Sequence, residues 1–216
     1  VDADDRLVGV ITIDDAMIVL DEEYEEDMMR LAGVGEGSLS DSVLETTRGR
    51  LPWLAVNLAT AIIASLVISM FETTIAQFVA LAVLMPIVAS MGGNAGTQTL
   101  AVTVRAIATN QLTDSNTRRA IKREMAIAFM NGATIAALAG IGVTLWFQNF
   151  HLGFVIAAAM QCNILLAGFA GVFIPVMLDR FDQDPAVASS VFVTMITDSM
   201  GFLIFLSLAV FSGLVG

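Results

Sequence analysis

Hydrophobic residues do not alternate with polar ones over most of this chain; they run together. Residues 51–71, 75–107, 125–147, 152–178 and 187–211 are almost continuously apolar. A helix rises ~1.5 Å per residue, so ~20 apolar residues cross a ~30 Å hydrocarbon layer. Every stretch reaches that length, and the pattern predicts five membrane-spanning helices. The second is longer than an untilted span requires, and Pro86, Gly92 and Gly93 are expected to interrupt it. Trp53 and Trp146 fall at span ends, where an aromatic belt belongs.

The first fifty residues carry a different pattern. Residues 7–13 form a short β-rich run, and Asp14-Asp15 then open a helix expected to reach about Met29 with Ala16, Val19 and Leu20 on its apolar stripe. Asp21-Glu22-Glu23 and Glu25-Glu26-Asp27 make that helix densely acidic, as either a solvated face or a weak divalent-cation surface. Residues 33–37, rich in Gly, end it. Ser42-Val43-Leu44-Glu45 reads as a capping box that starts a short helix bringing Arg48 and Arg50 to the membrane. One strand and one helix bury no core by themselves. The chain opens at Val1 with neither an initiator Met nor a signal peptide, so further sequence is expected upstream.

Composition sharpens the division. Apolar residues make up 56% of the chain and charged ones 14%, outside the range of an ordinary soluble domain. Residues 1–50 hold 14 of the 21 acids and 4 of the 10 bases. The acidic head argues against nucleic acid and for cations or a basic partner. Cys162, the one cysteine, excludes an intrachain disulfide and is expected to be a buried thiol. Arg48 and Arg50 precede the first span, Arg105, Arg118, Arg119, Lys122 and Arg123 separate the second from the third, and Arg180 follows the fourth. The loops near 72–74 and 148–151 have no Lys or Arg. The positive-inside rule then predicts a cytoplasmic N-terminus and an external C-terminus.

Polar residues inside the spans are where chemistry is expected. Asp198 stands near the middle of the fifth span, where an acid costs ~3 kcal/mol even on lenient scales, and no basic residue shares its span. Ser190, Thr194, Thr197 and Gly201 extend its stripe. In the second span Asn94, Gln98, Ala101 and Arg105 recur at helical spacing, with Ser90 and Thr97 beside them. Gly92 and Gly96 form a small-xxx-small step. Two facing polar stripes would line a path for a hydrated solute. Ala128, Gly132, Ala136 and Gly140, and likewise Ala159, Asn163, Ala167 and Gly171, read as packing ridges.

These motifs taken together resemble the MgtE family of magnesium channels. The resemblance rests on Gly92-Gly93-Asn94-Ala95-Gly96-Thr97-Gln98 in a Pro-containing span, on Asp184-Pro185-Ala186, and on Thr197-Asp198. Arg50-Leu51-Pro52-Trp53 and the acidic helix agree with it, and Gly9-Val10-Ile11-Thr12-Ile13-Asp14-Asp15 resembles the end of a CBS domain. The resemblance implies an all-α integral membrane protein with five transmembrane helices per subunit and a homodimeric pore, preceded by a small cytoplasmic α/β CBS remnant. Residues 1–37 would be that remnant, 38–50 a connecting plug helix, and 51–216 the membrane domain. It also implies an inner (plasma) membrane location, Mg²⁺ as the ion, and lipid as a partner. The pore aspartate would be Asp198, with Thr194 and Asn94 nearby and Gly92, Gly93, Gln98, Thr197 and Gly201 lining the path. Asp184, Glu25 and Glu26, with Asp14 and Asp15 as further candidates, would bind regulatory Mg²⁺. Thr12 and Asp15 would contact a nucleotide such as ATP in an intact CBS region.

The residues themselves leave two transport readings. A passive Mg²⁺ channel of the kind the resemblance implies would hold the ion by one carboxylate from each subunit, since Mg²⁺ parts with its water reluctantly and is held through few carboxylates. A proton-coupled divalent-cation transporter would ordinarily use more acids at membrane depth than Asp198 alone. An enzyme finds no nucleophile–base pair or metal-ligand spacing in the spans.

Overall fold

The computed structural model describes residues 9–32, 42–113 and 115–214. Seven helices account for nearly all of them: α1 (Ile13–Leu31), α2 (Val43–Ser69), α3 (Glu72–Gln77), α4 (Ala80–Ala108), α5 (Thr117–Phe147), α6 (Phe150–Arg180) and α7 (Pro185–Phe211). Five of these, α2 and α4 to α7, are long and apolar enough to cross a membrane, as the five apolar runs required.

The expected strand over residues 7–13 does not form in its described part. Residues 9–12 are irregular and Ile13 already belongs to α1, because a lone strand has no ladder to join. Leu7 and Val8, and the glycine-rich break at 33–37, lie outside the described residues. The capping box at Ser42 is present, but the helix it starts is no separate short element. It runs unbroken through Arg48, Arg50 and Pro52 into the first span as α2.

The interruption expected at Pro86, Gly92 and Gly93 lies elsewhere. Helix α4 passes through all three, and the break falls at Phe78 and Val79, between α3 and α4. Proline leaves one carbonyl without its helical donor, a loss that neighbouring helices at membrane depth allow. The glycines serve packing instead.

Helix α6 is the central element. It packs on α4, α5 and α7, while α2 packs on α7 and buries only Ala64. Two ridges of small residues on α6 explain why it fits between its neighbours. Ala159, Asn163, Ala167 and Gly171 are buried on one side; a Cβ on Gly171 would lie 2.8 Å from Thr99 Cβ and 2.9 Å from the Gly96 carbonyl oxygen of α4. On another side Gly153, Gln161 and Gly168 meet the buried ridge Ala128, Gly132, Ala136 and Gly140 of α5; a Cβ on Gly168 would lie 2.7 Å from Ala128 Cβ. Helices so closely apposed gain van der Waals contact that larger residues would prevent, which is the main source of helix association in lipid. The α5–α6 turn needs two residues: Gln148, left-handed at φ 51°, and Asn149, whose side chain accepts from the Leu152 N–H at 3.0 Å.

Cys162 is exposed on α6 rather than buried. It sits on a face that α4, α5 and α7 leave uncovered.

Candidate functional site

The polar positions of the spans divide into three groups with different surroundings. The first is a wholly interior knot. Asn163 of α6 has no exposed surface, and its Nδ2 donates to the Val88 carbonyl oxygen of α4 at 3.0 Å. Gly92 of α4 and Gly201 of α7 press on the same amide; a Cβ on Gly201 would lie 2.6 Å from Asn163 Nδ2, and one on Gly92 would overlap it. Thr197 is also fully buried, its hydroxyl turned back to the Thr194 carbonyl oxygen at 3.1 Å. Gly92, Gly201 and Thr197 therefore face the interior of the helix bundle, where they join α4, α6 and α7.

The second group lies on the outer face. Asn94, Gln98 and Thr194 are exposed, Gly93 is partly exposed with nothing within 4 Å of a Cβ placed on it, and Asp198 is half-buried on α7. Among the described residues, no hydrogen bond or ion pair steadies the Asp198 carboxylate. An exposed amide or unpaired acid amid apolar helices needs water, an ion or another chain. Asn94 and Gln98 also line a cavity of about 490 Å³ between α4, α5 and α6, together with Thr99, Asn131, Arg123 and Glu124.

Glu124 is the residue that sequence reasoning missed. It precedes the third apolar run by one position and so reads as a loop residue. Helix α5, however, starts seven residues earlier, and Glu124 is only 9% exposed, with Arg123 Nη1 3.1 Å from its Oε1. The signal was available in the spacing of Glu124, Ala128 and Asn131, which share one helical face. Half-buried Asp198 is thus accompanied in the bundle by a second, more deeply buried acid.

The third group joins the head to the bundle. Asp184 is the N-cap of α7: its Oδ1 accepts from the Ala186 N–H at 2.8 Å, and Pro185 occupies the first helical turn where no donor is missed. Its Oδ2 accepts from Arg30 Nη1 at 2.5 Å, and Arg30 also pairs with Glu26. The guanidinium of α1 therefore sits between two of the carboxylates expected to bind a regulatory ion. Glu25 is exposed and outside this pair. Thr12 and Asp15, the nucleotide candidates, are occupied with each other. Asp15 accepts from the Thr12 hydroxyl at 2.6 Å and from its N–H at 2.9 Å, while the Asp15 N–H donates back to Thr12 Oγ1 at 3.2 Å. Those bonds to the ionised form, the hydroxyl's foremost, hold the Asp15 carboxyl below its ordinary range. Among the described residues, no three His, Cys, Asp or Glu side chains converge as a metal cluster.

Five apolar spans with exposed amides and an unpaired acid at mid-helix define a multi-pass membrane protein of the transporter class. Comparison with known proteins agrees. The family model for MgtE, a divalent cation transporter, matches residues 85–208. The magnesium transporter MgtE of Enterococcus faecalis is 39% identical over 208 residues, which is 96% of this chain and 46% of that one. The corresponding transporter of Bacillus subtilis is 34% identical over 210 residues, 97% of this chain and 47% of that one. That of Thermus thermophilus is 32% identical over 212 residues, again 97% and 47%. This chain belongs to the MgtE family of divalent cation transporters, and it is not an enzyme. It spans about half the length of these relatives.

Proposed function

We propose that this chain forms the membrane pore of a Mg²⁺ transporter, assembled from two copies and carrying Mg²⁺ into the cytoplasm. The observation that carries the reading is the pairing of an unpartnered Asp198 with polar residues turned outward from the same subunit, Asn94 and Gln98 on α4 and Thr194 on α7. One carboxylate is a poor site for a divalent ion; two, facing each other across a symmetry axis, supply the charge that balances it. A hydrated Mg²⁺ would pass between the α4 and α7 faces of both subunits, held through its water by Asp198 with amide and hydroxyl oxygens around it. Gly92, Thr197 and Gly201 would act from behind, letting the lining helices close on Asn163. The orientation is that of the positive-inside rule, with the N-terminal head in the cytoplasm of an inner (plasma) membrane protein.

Control by cytoplasmic Mg²⁺ would act at the junction of α1 and α7. An ion there competes with Arg30 for Glu26 and Asp184, so binding would change how the head meets the bundle. ATP contact through Thr12 and Asp15 would require breaking the capping box that now engages both.

The test is flux in proteoliposomes. Asp198→Asn keeps the volume and removes the charge; Mg²⁺ uptake should fall to that of empty vesicles, with dimer formation unchanged on crosslinking. Wild-type uptake by the variant would refute the proposed ion site. A second reading, proton-coupled divalent-cation transport, is favoured by Glu124, a further acid buried in the bundle. Uptake driven by a pH gradient at zero voltage, and lost in Glu124→Gln, would decide for it.

A further inference from the structure

Helices α4 and α5 end beside each other at the side of the bundle where basic residues collect. There they enclose a second cavity, of about 560 Å³, lined by Arg105 from the last turn of α4, Arg119 and Arg123 from the first turns of α5, and Gln111 from the loop between them. Among the described residues, no acidic one lines it. Arg123 is paired with Glu124, whereas Arg105 and Arg119 form no ion pair among the described residues.

The charges on α5 are arranged against the helix they belong to. The N-terminal end of a helix carries a partial positive charge, which acids stabilise and bases do not. Helix α5 has no acid in its first turn, its N-cap Asn116 makes no capping bond, and Arg118, Arg119, Lys122 and Arg123 crowd its first two turns. The Asn116 side chain is instead spent on the loop, accepting from the Thr113 N–H at 2.9 Å and donating to the Gln111 carbonyl oxygen at 2.8 Å. Positive-inside topology accounts for bases on this side of the membrane, yet it does not require two unpaired guanidiniums to face one hollow. An anion seated there would answer the helix terminus and both arginines together, and guanidinium pairs with phosphate in two-pronged fashion.

We propose that this cavity binds the phosphate headgroup of an anionic phospholipid. Its position selects lipid over a dissolved ion. The cavity lies where two spans leave the apolar layer, so headgroups are its immediate neighbours. The exposed Val102 of α4 lines both this cavity and the neighbouring one, an apolar position beside which an acyl chain can lie. Basic pockets between spans on the cytoplasmic side are favourable sites for acidic headgroups. The site is separate from Asp198, and its occupancy would brace α4, whose face carries Asn94 and Gln98.

The experiment titrates the purified chain in neutral detergent with short-chain phosphatidylglycerol and follows the thermal midpoint. Phosphatidylcholine of the same chain length and inorganic phosphate serve as comparators. Phosphatidylglycerol should raise the midpoint saturably, and neither comparator should do so at equal concentration. Arg105→Gln with Arg119→Gln should weaken the apparent affinity roughly 30-fold, at about tenfold or less per lost contact. Arg118→Gln with Lys122→Gln, which removes equal charge outside the cavity, should change it less than threefold. Circular dichroism checks the fold, and Arg119→Gln alone, an exposed position, replaces the pair if the double variant unfolds. Equal loss in the two charge-matched pairs, an equal effect of phosphatidylcholine, or saturation by inorganic phosphate would each overturn the proposal. A flux failure of Asp198→Asn bears on the pore and leaves this titration unaffected.

Discussion

A single methyl group added at Gly92 tests how the bundle is held together. The Cβ of Gly92→Ala would fall on the Asn163 amide, with Asn163 Cγ only 2.8 Å away, and Asn163 has no exposed surface into which to retreat. Either α4 moves off α6, or the amide turns away and loses its bond to the Val88 carbonyl. Overpacking of this kind costs about 1–3 kcal/mol, and an orphaned buried amide about 1–3 more. At roughly 2–4 °C per kcal/mol for a chain of this size, the melting midpoint in detergent should drop by roughly 4–24 °C. Gly93→Ala is the internal control: nothing lies within 4 Å of its Cβ, and helix propensity alone makes it neutral to slightly stabilising. Adding Asn163→Ala to Gly92→Ala should recover part of the loss, so the double-mutant cycle must depart from additivity by more than about 0.5 kcal/mol. Equal midpoints for the two alanine variants, or an additive cycle, would refute the interior role assigned to Gly92.

Other consequences follow from the head and from the α5–α6 contact. Arg30→Ala removes the side chain shared by Glu26 and Asp184; the pairs are about one-third exposed, so global stability should change by under about 1 kcal/mol, while protease cleavage within α1 should become faster. Unchanged cleavage would show that the bridge does not hold α1 to α7. Because the folded Asp15 carboxyl is held below its ordinary value of 3.8, its cap is fully formed above that value and is lost as pH falls through the lower, folded one. The ¹³C-carboxyl titration of Asp15 should therefore have its midpoint below 3.8 and move upward in Thr12→Ala; identical midpoints would exclude the capping box as the cause. Gly168→Leu should separate α5 from α6 and destabilise by more than about 3 kcal/mol, against near neutrality for Gly142→Leu, where the space is open.

Five spans, the start of α2 at a capping box and the small-residue ridges were legible in order along the chain, because each depends on local sequence. Hydrocarbon thickness sets the length of an apolar run, and a Ser with Glu three residues on satisfies the helix end wherever it occurs. Asp198, Asn94, Gln98 and Thr194 were legible as polar residues in costly places. What periodicity along one helix does not reveal is which neighbour each face meets. Gly92 and Gly201 look alike to Gly93 in the sequence, yet the first two close on Asn163 while the third faces open space, a difference set by how α4, α6 and α7 cross. Glu124 is polar by identity and interior by packing, because α5 begins before its apolar run does. Asp184 reads as a candidate metal ligand, and nothing along the chain reveals that folding brings Arg30 to it from 154 positions away. Sequence thus determined how many membrane spans there are and how polar each is, since those follow from transfer free energies of single residues. Only the tertiary structure decided which polar groups are spent on one another and which remain exposed, since that depends on pairs of residues brought together by the fold.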